Sequence, residues 1–203
     1  MPNVVHLDLR ACENITDAGL YHLGTHCPKL ETLNCGRHTK GNLVTDASIS
    51  HIISKCSLKT LGVAGCGISD ALIWSLALQI GQQLERLSLN GCWRLTDAGL
   101  SHALMLDKFP RLAVLEIRRL TRLQHLRPVI EFKKRQSRRK IAVLVEACEE
   151  LEARLKLEER TLDLEISARI FEDISEWLNG DDLQDQIEEQ NLQQFVHRRG
   201  VPV

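Results

Sequence analysis

The sequence predicts an α/β solenoid: about five stacked repeats with parallel strands on a concave face, helices on a convex face, and a helical C-terminal extension. Apolar residues recur in the pattern L-x-x-L-x-L-x-x-C, at intervals of 26, 28, 26 and 28 residues. The repeats start at Val4, Leu30, Leu58, Leu84 and Leu112. A turn and a helix cap recur at the same period, which is typical of cysteine-containing leucine-rich repeats. One such unit cannot bury its apolar face alone, so neighbouring repeats must share a core.

The segment Leu84–Leu100 is the most regular repeat and shows how each unit is built. Leu87 and Leu89 are two residues apart and therefore point to one face of a short strand. Cys92 fits a buried turn. The alternate residues, Arg86, Ser88 and Asn90, point to the opposite face of the strand, which is the solvent-facing concave side.

Turn and cap residues recur in the other repeats. The turn cysteines are Cys12, Cys66 and Cys92. The expected helix caps are Thr16-Asp17, Thr45-Asp46, Ser69-Asp70 and Thr96-Asp97. Cys27 and Cys56 fall where the chain returns from helix to strand. These positions explain most cysteines structurally.

The concave face is the expected protein-binding surface, because its side chains are not needed by the repeat. The candidate binding residues on this face and its adjoining loop are Arg10, Arg37, His38, Arg86, Ser88, Asn90, Trp93 and Arg118. Arg37, Arg86 and Arg118 are the expected anchors for an acidic partner, since arginine makes several directed contacts. Two alternatives stay open: solvated polar residues without a binding role, and packing of Trp93 against the neighbouring turn.

Two repeats depart from the pattern. The second contains an insertion, Gly36–Leu43, and loops of this kind often carry binding residues. The third has small residues, Gly62, Ala64 and Gly65, where others have polar side chains. This predicts a smooth patch that a partner can approach closely.

The repeat pattern ends near residue 120. We expect four segments: a solenoid (1–120), a basic connecting segment (121–140), an acidic amphipathic helical extension (141–180) and a polar, frayed tail (181–203). Two apolar stripes at helical spacing mark the extension, and Asn179-Gly180 is the expected end of the helix. The first stripe is Ile141, Leu144, Cys148, Leu151 and Leu155, and the second is Ile166, Ile170, Ile174 and Trp177. The stripes fit either a cover for the end of the solenoid or a partner-binding helix.

Charge is divided unevenly along the chain. Residues 1–140 hold 20 Lys and Arg against 11 Asp and Glu, whereas residues 141–203 hold 6 against 16. Aromatic residues are scarce in the basic segment, so nucleic-acid binding is not expected. The sequence contains no C-x-x-C pair, phosphate-binding loop or nucleophile motif, and we expect no catalytic, cofactor-binding or metal-binding residues and no membrane span.

Two stretches resemble a known family more specifically. They are Gly36-Arg37-His38 with Gly41 and Val44-Thr45-Asp46, and Ala64-Gly65-Cys66 with Ile68-Ser69-Asp70 and Ile73–Ala77. Both are similar to the antagonist of mitotic exit network protein family, and the turn cysteines resemble those of F-box/LRR proteins. The resemblance covers about residues 1–120.

The resemblance implies a non-enzymatic negative regulator of the cell cycle, found in cytoplasm and nucleus, that binds a small GTPase of the mitotic exit network. The alternative is a substrate-recognition subunit of an SCF-type ubiquitin ligase, with the F-box missing or upstream. Because the chain starts directly in a strand without a capping unit, we expect it to be the C-terminal part of a longer protein.

Overall fold

Six short parallel strands and the helices between them make up the repeats. The computed structural model describes residues 2–10 and 12–199, with side chains as far as Trp177. The strands are β1 (His6–Asp8), β2 (Thr32–Asn34), β3 (Thr60–Gly62), β4 (Arg86–Ser88), β5 (Val114–Glu116) and β6 (Leu144–Glu146). The helices are α1 (Asp17–His26), α2 (Asp46–Lys55), α3 (Asp70–Gln79), α4 (Leu100–Met105), α5 (Arg127–Arg138) and α6 (Glu149–Arg199). The strands pair in chain order, each parallel to the next.

The core repeats as regularly as the sequence. Leu33, Leu61, Leu87 and Leu115 lie opposite one another in consecutive strands and are fully buried. The first leucines of these repeats are buried as well. Such an aligned ladder removes each repeat's apolar strand face from water only when a neighbouring repeat is present. The predicted leucine-rich-repeat solenoid is therefore confirmed.

An acidic ladder joins each helix start to the next repeat. The Asp70 carboxylate accepts hydrogen bonds from the Thr96 backbone N–H (2.9 Å) and hydroxyl (2.6 Å). The equivalent pairs are Asp17 with Thr45, Asp46 with Ser69, and Asp97 with the backbone of Gln124 and His125. These aspartates therefore fix the cap of the following repeat, a role that the predicted Thr-Asp caps did not include.

The capping hydroxyls behave as expected in three repeats. Those of Thr45, Ser69 and Thr96 accept hydrogen bonds from the N–H two residues ahead, while Thr16 makes no such side-chain bond. In the fourth repeat the helix itself begins only at Leu100. In this repeat a turn therefore separates the capping residue, Thr96, from the first residue of the helix, Leu100.

The turn cysteines pack between repeats. Cys92 donates its S–H to the Val63 carbonyl (3.2 Å), and Cys66 donates to the Cys35 carbonyl (3.5 Å). Burial raises the pKa of Cys92 to about 12, so this thiol stays protonated. Cys12 differs, because its side chain is exposed. The expectation of a buried turn cysteine is wrong at that position.

The repeats continue beyond the predicted boundary at residue 120. Helix α5 occupies most of the basic segment, and β6 adds a sixth strand whose Leu144 lies opposite Val114. Leu144 therefore belongs to a strand and not to a helical stripe, since backbone pairing with β5 overrides the three-and-four spacing. Residues 1–158 form one compact unit and residues 159–203 a second.

Helix α6 is longer than the predicted extension. It runs to Arg199 without ending at Asn179-Gly180. A glycine costs a helix only about 1 kcal/mol, which a helix of this length can absorb. The end of the predicted frayed tail, residues 200–203, lies outside the described residues. Among the residues that are described, no helix is both long and apolar enough to cross a membrane.

Candidate protein-binding face

Two rows of outward side chains define the candidate site, which we call the concave face. The strand register places them side by side. The first row is His6, Thr32, Thr60, Arg86, Val114 and Leu144; the second is Asp8, Asn34, Gly62, Ser88, Glu116 and Glu146. The strands thus hold two rows of mostly polar side chains, interrupted at Gly62, with an apolar pair, Val114 and Leu144, at one end.

Glu116 is the centre of a hydrogen-bond network on this face. Its Oε1 accepts from Arg86 Nη2 (2.6 Å), and its Oε2 accepts from Ser88 Oγ (2.7 Å) and Asn90 Nδ2 (3.0 Å). Asn90 Oδ1 in turn accepts from the backbone N–H of Arg118 (2.7 Å). The structure therefore brings four predicted site residues, Arg86, Ser88, Asn90 and Arg118, together around a carboxylate that was not among the predicted site residues.

Electrostatics within the network favour the ionised carboxylate. Burial raises the pKa of Glu116, but hydrogen bonds from Arg86, Ser88 and Asn90 and the Arg86 charge outweigh it, so this pKa lies below its usual value. Arg118 is paired in the same way with Glu146 (3.0 Å). Two of the three predicted arginine anchors, Arg86 and Arg118, are consequently paired with an acidic residue from the next strand.

The third repeat is less open than the sequence suggests. A Cβ at Gly62 would lie 2.7 Å from the Asn34 side chain, so Asn34 leans over the glycine. Ala64 lies 3.3 Å from where a Cβ would stand on Gly36. The small residues accommodate their neighbours in the second repeat, and the expected smooth patch is partly filled.

Arg37 is buried and does not reach the concave face. Its backbone N–H donates to the Ala64 carbonyl (2.8 Å), and its guanidinium donates to the carbonyls of Lys40 (3.2 Å) and Ile15 (3.1 Å). Only 5% of the residue is exposed. The prediction of Arg37 as an exposed anchor is wrong, because the inserted loop folds back over the side chain.

The loop Gly36–Leu43 is itself fixed to the first repeat. The Glu13 carboxylate accepts hydrogen bonds from the His38 backbone N–H (3.1 Å) and the Thr39 hydroxyl (2.8 Å). The bond from the His38 N–H is the main reason why the pKa of Glu13 is lowered. The His38 side chain stays exposed at the edge of the site.

Trp93 packs across this loop. A Cβ at Gly41 would lie 2.6 Å from Trp93 Cη2, so glycine is required for the ring to rest there. The residue nevertheless keeps 45% of its surface exposed. Trp93 therefore packs against the neighbouring loop, as the alternative interpretation held, while one side stays accessible.

Arg10 pairs with a carboxylate at the end of β1. Its guanidinium lies 2.7 Å from Asp8, and the hydrogen bonds from Arg10 lower the pKa of Asp8. Sequence reasoning missed Glu116 and Glu146 as partners, although the regular repeat register could have aligned Glu116 with Ser88. Within the described part of the chain, no three His, Cys, Asp or Glu side chains are grouped so as to hold a metal ion.

Known proteins match both the repeats and the extension. Residues 1–24 match the family model described as Leucine Rich repeat. The chain is 40% identical over 182 residues to antagonist of mitotic exit network protein 1 from Eremothecium gossypii and to the protein of that name from Saccharomyces cerevisiae. Each match spans 90% of this chain, and 46% and 33% of the respective relatives. The family resemblance is confirmed.

Further comparisons extend this result. The Candida albicans protein of the same name is 38% identical over 198 residues, covering 87% of this chain and 30% of its own length. A yeast structure described as a complex of Rad7 and Elc1 aligns with a TM-score of 0.42 at 23% identity, over 64% of this chain and 40% of that one. The chain spans about a third to a half of the length of the curated relatives that it matches. Since 90% of the chain is matched, the similarity reaches past the predicted limit at residue 120.

Proposed function

We propose that this protein is a non-enzymatic, cytoplasmic and nuclear regulator of cell division that restrains mitotic exit by binding a small GTPase on its concave face. The main support for this proposal is the similarity, over nine-tenths of the chain, to proteins named as antagonists of the mitotic exit network. The two rows of strand-borne side chains support binding as the mode of action. Residues on rigid strands are held in position before a partner arrives, which reduces the entropy cost of association.

The Glu116 network refines how such a partner would bind. Arg86 and Arg118 already have carboxylate partners, so an incoming acidic group must compete with Glu116 and Glu146. Exposed N–H groups of Arg86 can still donate outward, because about half of its side chain is accessible. Val114 and Leu144 add apolar area beside it. The expected contact is therefore mixed, with an apolar end and a charge-balanced centre.

Thr60 offers a clean test of the concave face. It lies in the middle of the first row, next to Arg86, and is half-buried. Thr60→Arg places a long cation where a partner would lie. Ser57→Arg adds the same side chain to an exposed residue three positions earlier, in the return from α2 to β3. Affinity for the purified GTPase, loaded with GDP or a GTP analogue, is measured by calorimetry alongside thermal unfolding.

We expect Thr60→Arg to weaken binding at least about tenfold and Ser57→Arg to change it less than about twofold. If both variants bound the GTPase with equal affinity, the concave face would not be the binding surface. No binding of the GTPase by the wild-type chain would remove that partner. Binding of SCF ligase components in its place would favour the substrate-recognition alternative.

A further inference from the structure

The second half of the described α6 side chains exposes a large apolar face. Ile166, Ile170, Phe171, Ile174 and Trp177 are 44%, 53%, 74%, 51% and 66% exposed. At 3.6 residues per turn, these five positions fall within an arc of about 140° on one side of the helix. Soluble proteins seldom leave such a contiguous surface in water unless it binds something.

The start of the same helix behaves differently. Leu151 and Leu155 are 4% and 9% exposed, as expected of a helix that covers core. The two apolar stripes of the sequence therefore have different roles. The helical part of the first stripe, Leu151 and Leu155, is buried, whereas the residues of the second stripe are exposed.

Charge indicates what kind of surface would cover the second stripe. Residues 159–203 contain 11 Asp and Glu against 4 Lys and Arg. Glu172 and Glu176 lie on the polar side of the helix, and Asp173 lies near the edge of the apolar arc. A partner that buries the apolar face would bring its own rim close to these carboxylates. Lysine or arginine in that rim would be attracted, and carboxylates would be repelled.

The same features disfavour a second copy of α6. Self-association would place two acidic helices side by side, at a cost from like charges. An arc of about 140° is also wider than the narrow a/d seam of a two-stranded coiled coil. Anionic lipid would be repelled by the acidic side. A groove in another protein fits the width and the charge together.

We propose that residues 166–177 of α6 dock, apolar face inward, into an apolar groove edged by lysine or arginine on another protein. Phe171 and Trp177 are the expected anchors, since they combine the largest areas with the highest exposure in the stripe. The proposal uses only the helix, and it stands or falls separately from binding at the concave face.

Site-directed photo-crosslinking of the full chain tests this proposal. A benzoylphenylalanine replaces Phe171 in one variant and, as a control on the polar side, Glu172 in another. After irradiation in cells, the crosslinked peptide of the partner is identified by mass spectrometry. The partner is then purified, and its affinity is measured for the wild type, for Ile170→Gln with Ile174→Gln, and for Arg169→Gln with Glu172→Gln. The last pair leaves net charge and the apolar face unchanged.

The expected crosslink forms from position 171 and not from 172, and maps to an apolar groove bordered by Lys or Arg. The isoleucine pair should lower affinity at least about tenfold, the control pair less than about twofold, and added salt should weaken binding. Thr60→Arg should leave this crosslink in place. A crosslink to a second copy, to the chain's own repeats, to lipid or to an acid-edged surface would overturn the proposal, as would no crosslink.

Discussion

Arg37 follows the end of β2 and Arg86 begins β4, and the two regions around them are built in opposite ways. Around Arg37 the loop Gly36–Leu43 closes over the guanidinium, which donates hydrogen bonds to the backbone carbonyls of Lys40 and Ile15. Around Arg86 the face stays open, and the guanidinium bonds to the Glu116 carboxylate. One arginine fastens the scaffold, and the other belongs to the accessible surface.

This difference shows what a repeat pattern can and cannot decide. The repeat pattern marks both residues as candidate anchors, but the insertion in the second repeat decides which arginine is covered. In the fourth repeat the next strand supplies Glu116, and the charge is balanced without burial. The role of a repeat residue therefore depends on the repeats beside it as much as on its own position.

The largest effect expected concerns Gly65, which lies against the Arg37 region. Gly65 has a φ of +67°, and a Cβ there would lie 2.1 Å from the Arg37 carbonyl oxygen. Gly65→Ala should lower the free energy of unfolding by about 3–5 kcal/mol, combining backbone strain with overpacking. Urea unfolding followed by circular dichroism measures the change.

Gly91 provides the matched control for that substitution. Its φ is +68°, but the nearest atoms to an added Cβ are 4.0 Å away. Gly91→Ala should therefore cost only about 1–2 kcal/mol, the strain of the left-handed conformation alone. Equal losses at both glycines would show that the contact with Arg37 does not matter.

A second prediction separates the two arginines directly. Arg37→Ala removes hydrogen bonds to the backbone carbonyls of Lys40 and Ile15 and the packing of a buried side-chain stem, and should cost about 2–3 kcal/mol of unfolding free energy. Arg118→Ala removes an exposed pair with Glu146, with the arginine 54% exposed, and should cost less than about 1 kcal/mol. The same urea unfolding experiment compares them, and a larger loss at Arg118 would contradict the assignment of roles.

The fold was predictable from the sequence, whereas much of the site was not. The strand leucines, turn cysteines and caps repeat at one period, so each unit supports the same interpretation. The sixth strand was missed because Leu144 also fits a helical spacing. The pairing of β6 with β5 joins residues about 30 positions apart, which a local pattern does not reveal. The burial of Arg37 depends on how an irregular loop folds, which no periodic pattern specifies.

The smallest predicted effect tests the open region through its carboxylate. Glu116→Gln keeps the shape but loses the charge that accepts from Arg86, Ser88 and Asn90. Because Arg86 is 51% exposed, solvent screens part of the interaction, and we expect a loss of about 1–2 kcal/mol at pH 7.

The stabilisation by Glu116 should decrease as the pH falls. The pKa of Glu116 is lower in the folded protein than the value of about 4.3 for an unfolded glutamate. Its ionised form therefore adds stability above pH about 4.3, and this stability is lost as pH falls through the folded pKa. The gap in unfolding free energy between wild type and Glu116→Gln should narrow over that range.

Glu31→Gln distinguishes this effect from the general loss of surface carboxylates. Glu31 pairs with Lys59 at 2.8 Å, and the two side chains are 40% and 47% exposed. Its substitution should change stability little at any pH, because exposed pairs contribute little. If the gap for Glu116→Gln stayed constant as the pH fell, the effect of the substitution would come from altered packing, and the charge-balanced network could not be the source of stability on the open face.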